Sequence, residues 1–145
     1  MIADRSEAAN LLLFNTGSLY RLLRSEARRL GIRWSALMVL RDLTLLGPLS
    51  QRELAGIEQL RPATLSVLVK ELLVEDLVSR GPDAQDRRAV KVGITAAGRT
   101  RLEHDSTCLA QILNEELESL GDTALTEFLR GERHLARMLG RRPVQ

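Results

Sequence analysis

The residues best suited to chemistry lie between positions 77 and 98. Asp86, Arg87 and Arg88 are consecutive and follow the turn-forming sequence Gly-Pro-Asp at 81–83. Adjacent guanidinium groups on a protruding loop suit a groove lined by phosphates, because arginine makes bidentate contacts to phosphate and guanine. The alternative interpretation is a set of exposed ion pairs between Asp86 and the arginines, which would contribute about 0 to 1 kcal/mol.

The same segment has the pattern of a β-hairpin with a long polar loop. Residues 77–80 are compatible with a short strand, and the apolar residues Val90, Val92 and Ile94 alternate with Lys91 and a glycine. From 86 to 101 there are five basic residues and one acidic residue. The sequence therefore predicts a local basic patch, which includes Lys91, beside the hairpin.

Two helices joined by a short turn are predicted before the hairpin, over residues 50–75. Ser50 and Glu53 have the spacing of a capping box, which marks the start of the first helix. Pro62 is acceptable at the first position of the second helix. Two helices followed by a β-wing form a winged helix-turn-helix, so the predicted fold class is mainly α, within α+β.

The second helix of this motif is predicted to have one buried and one exposed face. Leu65, Leu68, Val69 and Leu72 recur at 3.6-residue spacing and should face the core. At 100° per residue the opposite face presents Ala63, Thr64, Ser66, Val67 and Lys70. Hydroxyl groups can hydrogen-bond to base edges, small apolar groups can meet thymine methyls, and a lysine can reach phosphate or guanine.

In this order, the motifs resemble the MarR family of bacterial transcription regulators. The resemblance rests on residues 50–55, 64–66, 77–80, 86–88 and 94–98, and it is good over residues 31–98. It implies a single domain over 1–145, with a winged helix-turn-helix lobe at 33–95 and dimerisation helices at 7–30 and 96–140. It also implies that Asp86 holds an adjacent arginine and that Arg87 or Arg88 enters the minor groove.

Four positions in and around the two helices of the motif depart from the family pattern. Glu58 and Gln59 replace an apolar residue and a glycine in the turn between the two helices, so we expect an altered turn. Val67 stands where many members carry arginine, which shifts specificity toward apolar and hydroxyl contacts or toward Arg61 in the preceding loop. Asp76 replaces a glycine at the end of the recognition helix, which is tolerable because aspartate enters the left-handed region more readily than most residues.

The flanking helices are expected to form a homodimer and, by resemblance, an effector pocket next to the DNA-binding lobe. Thr95 is the predicted N-cap of a long helix that runs to about residue 120. Leucines recur along both flanks, and residues 102–127 hold seven acidic residues and no basic ones. These acids either pair with arginines at 130–142 and in the first helix or form a solvated face. Arg24, Trp34 and His104 are the candidate pocket residues, although Trp34 is interpreted first as a packing anchor.

Composition excludes several classes of protein. The chain has 145 residues and one cysteine, Cys108, so no disulfide can form within it and a reducing, cytoplasmic location is expected. Its apolar runs are far shorter than the roughly 20 residues of a membrane helix. Cys108 is interpreted as a small buried hydrophobe. No catalytic residue, metal site or cofactor is predicted, since no nucleophile–base pair, metal-ligand cluster or glycine-rich phosphate loop occurs.

The sequence and the resemblance together predict a regulator that binds double-stranded DNA. The expected form is a homodimeric repressor of a pseudo-palindromic operator, released by a small-molecule effector. A winged helix that serves protein assembly without contacting DNA is the alternative hypothesis.

Overall fold

Six helices and one two-stranded sheet make up residues 4–140, which are the residues that the structure, a computed structural model, describes. In chain order the elements are α1 (Arg5–Arg29), α2 (Trp34–Leu46), α3 (Gln51–Glu58), α4 (Pro62–Val74), β1 (Val78–Pro82), β2 (Val90–Ile94), α5 (Ala96–Leu117) and α6 (Asp122–Gly140). They form two compact units, one up to residue 34 and one from residue 35 onward. The winged helix-turn-helix predicted from sequence lies in the second unit.

Three of the helices, α1, α3 and α5, begin at a side-chain cap. Ser50 accepts a hydrogen bond from the Glu53 N–H at 3.2 Å, and the Glu53 carboxylate accepts one from the Ser50 N–H at 2.7 Å, which confirms the capping box. Hydrogen bonding from Ser50 to the carboxylate, first from its backbone N–H and then from its side chain, lowers the pKa of Glu53. Thr95 caps α5 as predicted, by accepting from the Gly98 N–H at 2.9 Å.

Three predicted boundaries were displaced by two or three residues. α1 begins at Arg5 because the Asp4 side chain accepts from the Ser6 N–H at 2.8 Å, a cap that the predicted start at Glu7 overlooked. β1 extends to Pro82, beyond the predicted residues 77–80. α5 ends at Leu117, before the predicted end near residue 120.

The core of the second unit lies between α2, α3, α4 and the sheet. Leu65, Leu68, Val69 and Leu72 are all buried, which confirms the predicted inner face of α4. The complete cluster of buried residues is Ala36, Val39, Leu40, Leu43, Leu54, Ala55, Leu65, Leu68, Val69, Leu72, Leu77, Val78 and Val92. Each fully buried leucine or valine contributes about 1.5 to 3 kcal/mol, so this cluster fixes where the outer face of α4 points.

The hairpin is attached to the helices at its inner strand. β1 and β2 are antiparallel, with Val78 opposite Ile94 and Arg80 opposite Val92. Val92 also pairs with Leu49, which follows α2: the Leu49 N–H donates to Val92 O at 3.0 Å, and the Val92 N–H donates to Leu49 O at 2.7 Å. The β-wing is therefore held by main-chain hydrogen bonds on both sides of β2.

The turn between α3 and α4 keeps a left-handed residue although it lacks the family's glycine. Gln59 has φ 51° and ψ 38°, and the following Leu60 N–H donates to Ala55 O at 3.0 Å. Asp76 takes φ 59° after α4 in the same way. The motif is preserved, at the conformational cost that a non-glycine residue bears in this region.

Gly98 is the position in the second unit where a larger side chain does not fit. A Cβ atom there would overlap the carbonyl oxygen of Leu77 and lie 2.7 Å from Ile94 Cγ1. We expect Gly98→Ala to lower the free energy of unfolding by about 1 to 3 kcal/mol, because backbone must move. Gly56→Ala is the matched control, since a Cβ at that helical position meets nothing within 4 Å, and it should raise stability by roughly 0.5 to 1 kcal/mol. Urea unfolding measures both, and equal stability of the two variants would contradict this packing.

Two carboxyl groups share a hydrogen bond between α2 and α3. Asp42 is buried and lies 3.2 Å from the Arg41 guanidinium, while Glu58, at the end of α3, is half-buried. Burial, together with the hydrogen bond to Asp42 and its charge, raises the pKa of Glu58 to about 8. Glu58 therefore carries the shared proton at neutral pH.

This proton makes stability depend on pH. The pKa of Glu58 is higher in the folded chain than its ordinary value of 4.5. The contribution of protonated Glu58 to the free energy of unfolding is therefore complete below pH 4.5 and is lost as pH rises to about 8. Glu58→Gln keeps a hydrogen-bond donor and should reduce the fall in the free energy of unfolding as pH rises. Glu103→Gln is the control, because it changes an exposed glutamate and should leave that fall unchanged. Urea unfolding between about pH 5 and pH 9 tests this. An unchanged pH dependence in Glu58→Gln would show that the pair is not protonated.

Candidate nucleic-acid interface

The outer face of α4 carries the side chains that the helical spacing placed there. Ala63, Thr64, Val67 and Lys70 are exposed, and Ser66 is half-buried. Pro62 occupies the first turn, and no side chain caps that end of the helix. The first turn of α4 therefore presents free N–H groups and small side chains, so its backbone can come close to a planar ligand.

Arg61 lies immediately before α4 and is exposed. Its extended backbone, with φ −63° and ψ 141°, ends the turn after Gln59. Lys70, two turns further along, is the other exposed cation of this segment. One cation therefore lies at each end of the small-residue surface, a distribution that suits a polyanion.

The tip of the β-wing, residues 83–89, is an ordered loop stabilised by aspartate side chains. Asp86 Oδ1 accepts from the Arg88 N–H at 3.0 Å, and the Asp86 carbonyl accepts from the Ala89 N–H at 3.0 Å. The loop is closed at its base by the Asp83 N–H, which donates to Ala89 O at 2.9 Å. Asp86 thus holds Arg88 through its main chain, and the side chains of Arg87 and Arg88 remain exposed.

Lys91 lies at the base of the tip and is engaged by Asp83. Its Nζ is 3.5 Å from Asp83 Oδ2, and its side chain is half-buried. The Gln85 N–H, donating to Asp83 Oδ1 at 3.0 Å, and the nearby Lys91 together lower the pKa of the Asp83 carboxyl. Sequence analysis overlooked Asp83 as a partner, although its position in the turn before the return strand was a signal.

One threonine connects the recognition helix to the β-wing. The Thr95 hydroxyl donates to Asp76 O at 2.7 Å and accepts from the Gly98 N–H at 2.9 Å, while the Thr95 N–H donates to Leu77 O at 3.1 Å. The end of α4, the end of β2 and the start of α5 therefore meet at a single side chain. The sequence predicted the cap but not the bond to Asp76, which is 19 residues away.

Two of the three candidate effector residues meet in the first unit, around a tyrosine that sequence analysis did not single out. Arg24 Nη1 donates to Tyr20 Oη at 3.3 Å, and its guanidinium carbon lies 5.7 Å from the Tyr20 ring centroid. The Tyr20 and Trp34 rings are 5.7 Å apart at 82°. The edge-to-face geometry makes Trp34 a packing partner of Tyr20.

His104, the third candidate, belongs to the second unit and neighbours a buried carboxylate. Its Nδ1 lies 3.1 Å from Asp105 Oδ1, and the Arg101 Nε–H donates to Asp105 Oδ2 at 2.8 Å. Cys108 Sγ is 3.9 Å from His104 Nε2 and is half-buried, so the prediction of a fully buried cysteine was wrong. The cause is that Leu109, and not Cys108, occupies the buried side of α5.

The sequence model of the MarR family matches residues 32–90, which include α2, α3, α4 and the tip of the β-wing. The match covers less than half of the chain and shows that this segment is similar to that family. Two curated relatives are an uncharacterised HTH-type transcriptional regulator, YwaE of Bacillus subtilis, 33% identical over 72 residues, and the HTH-type transcriptional repressor NicR of Pseudomonas putida, 36% identical over 89 residues. The matches cover 50% and 61% of this chain.

The matched part of this chain spans about half the length of these relatives, 42% of YwaE and 54% of NicR. Their names, and the family, describe regulators of transcription, which agrees with the expectation that the chain is not an enzyme. Among residues 4–140, no helix has the length and apolar character needed to cross a bilayer.

Solved structures share the fold over nearly the whole chain. A MarR family protein from Bacillus stearothermophilus has a TM-score of 0.76 at 23% identity, covering 97% of this chain and 100% of that one. A point mutant of S. aureus MepR, bound to an oligodeoxyribonucleotide, has a TM-score of 0.59 at 21% identity, covering 92% and 96%. The MarR-type architecture therefore includes α1, α5 and α6 as well as the matched segment.

The hydrogen bond from Arg88 to Asp86 predicts how the tip responds to substitution. Asp86→Ala removes the acceptor and should speed amide hydrogen exchange at residues 86–89 about fivefold, the effect of about 1 kcal/mol. Asp86→Asn keeps Oδ1 as an acceptor and is the matched control, with exchange close to that of the parent. If both variants exchanged at the parental rate, the side chain would not order the tip.

Proposed function

We propose that this chain is a homodimeric, sequence-specific DNA-binding regulator of transcription. It acts in the cytoplasm as a repressor on a pseudo-palindromic operator. The observation that carries the proposal is the pairing of an exposed, small-residue face on α4 with an ordered, arginine-bearing tip, both fixed to one buried core.

Each part of the surface has a distinct role in the proposal. Ala63, Thr64, Ser66 and Val67 contact base edges in the major groove, with Arg61 and Lys70 on adjacent phosphates or guanines. Asp86 positions the tip, and Arg87 or Arg88 enters a narrow minor groove, where negative potential is concentrated. Lys91 contacts the phosphate backbone, with its charge partly offset by Asp83.

The relatives support the same function. The candidate DNA contacts other than Lys91 lie in the segment that matches the MarR family, NicR is a repressor by name, and MepR has been solved with an oligodeoxyribonucleotide. A winged helix used only for protein assembly would have no need of two exposed arginines at an ordered tip. The proposal therefore extends DNA binding and repression from these proteins to this chain.

Exposed apolar side chains support dimer formation through the flanking helices. On α1, Leu11, Leu13 and Phe14 are each more than half exposed, and on α6 no residue is buried although Phe128 and Leu139 are apolar. Apolar surface of this extent in a soluble chain marks an interface. Two-fold symmetry would place two recognition helices in major grooves about 34 to 36 Å apart.

Effector release would act through that dimer. The dimer would have two states, one in which the spacing of the recognition helices fits DNA and one in which it does not. A small molecule that binds the second state more tightly lowers the affinity for DNA by the difference between its two binding free energies. Arg24 and Trp34, now joined by Tyr20, are the proposed contacts in the first unit, and His104 is a separate candidate in the second unit. Their aromatic and cationic groups favour an aromatic or anionic effector.

The first experiment is selection of DNA from a random library with the purified chain. We expect enrichment of a pseudo-palindrome whose half-sites are centred about 10 base pairs apart. Enrichment of no sequence, together with no gel shift at low salt, would instead favour the protein-assembly hypothesis.

The second experiment tests the tip on the selected site. Arg87→Ala/Arg88→Ala should weaken binding at least tenfold at physiological salt and reduce the salt slope by about 4, because each protomer of the dimer loses two phosphate-neutralising cations. The control is Arg21→Ala/Arg28→Ala, which removes the same net charge from exposed positions of α1 and should change neither quantity. Circular dichroism confirms that both variants fold. Parental affinity in the tip variant would overturn the proposed role of the arginines.

A further inference from the structure

Two exposed valines share one shallow recess on the outer face of α4. Val67 is 56% exposed and Val74 is 87% exposed, and they are seven residues apart, on the same side of the helix. The recess has a volume of about 310 Å³ and is lined by Val67, Lys70, Glu71, Val74 and Glu75. Single exposed valines are ordinary, but this pair makes an apolar strip on the helix that leads into the β-wing.

Charge divides this strip into two halves. Val67 lies between Arg61 and Lys70, whereas Glu71 and Glu75 flank Val74 and disfavour nearby phosphates. Upstream of Val67, Ala63 and Thr64 are exposed and small, so a DNA groove can approach the helix closely there. The N-terminal half of α4, with Val67 at its centre, is therefore the half that DNA can contact.

A valine in a major groove can favour only one base. Its isopropyl group offers no hydrogen bond, so a donor or acceptor on an opposing base edge would lose water without compensation. The C5-methyl of thymine is the one apolar group that bases present in that groove. Contact between two apolar groups removes both from water and gains free energy.

On these observations we propose that Val67 reads a thymine through its C5-methyl group, at one fixed position in each half-site. Ala63 and the Thr64 methyl extend the same apolar surface toward neighbouring bases. This proposal rests on the proposed DNA-binding function and adds the chemical group that is recognised.

The test replaces thymine by uracil, which lacks only the C5-methyl, one position at a time in the selected site. At the position facing Val67, we expect a loss of about fourfold for one half-site and about fifteenfold for both, the value of one buried methyl each. Val67→Ala should bind thymine and uracil sites equally at that position. Val90→Ala is the matched control, because Val90 is 58% exposed but lies on β2, and it should keep the parental difference.

The outcomes separate this proposal from the function on which it rests. If the parent binds the selected site and no uracil substitution weakens it, methyl recognition is overturned while DNA binding stands. If Val67→Ala keeps the full difference between thymine and uracil, Val67 is not the reader. If no DNA is selected or bound at low salt, the proposed function itself fails.

Discussion

The position of the β-wing depends on the contacts of the Thr95 hydroxyl and on the space that Gly98 leaves for them. Through that hydroxyl, the Asp76 carbonyl after α4 and the Gly98 amide in the first turn of α5 bond to one atom. Such an arrangement requires α5 to begin against the backbone of Leu77, where a Cβ on residue 98 would not fit. The direction in which the hairpin leaves the core is therefore set by the hydrogen bonds of Thr95 and not by the exposed loop.

From that junction, the structure separates residues that hold the fold from residues that face solvent. The four apolar residues on the inner side of α4 are buried, and Val92 fixes β2 to both β1 and Leu49. None of the candidate contact residues belongs to the buried core. Substitutions on the outer face can thus change ligand affinity with little change in the free energy of unfolding, which makes the surface testable by mutation.

The sequence predicted the parts of the structure that depend on local periodicity and caps. Leu65 and Leu72 could be assigned to the core from spacing alone, and Ser50 and Thr95 could be assigned as caps because each bonds within three residues. Bonds between distant positions left no such pattern. The Asp76–Thr95 contact, the Leu49–Val92 bridge and the Asp42–Glu58 pair all join segments more than ten residues apart.

For the candidate interface, the sequence identified residue types but not their surroundings. Asp86 was expected to hold an arginine, and the contact found is to the Arg88 backbone N–H. Lys91 was expected in a basic patch, but its pairing with Asp83 depends on how the loop folds back. Tyr20 was not singled out because its ring contact to Trp34 needs the chain to turn after α1, although its contact to Arg24 lies one turn away within α1. Composition cannot specify such pairings, since they depend on backbone direction.

The two proposed contact surfaces differ in the physics by which each would bind DNA. Arginines at the tip act through charge, so their contribution falls as salt rises and varies little with base sequence outside narrow grooves. Val67 acts through the exclusion of water from an apolar contact, and salt has little effect on such a contact. The contact requires a thymine methyl group at one position of the site. An arginine at position 67 would combine both effects in one side chain. With valine there, affinity and base discrimination reside on different elements, and each can be altered without the other.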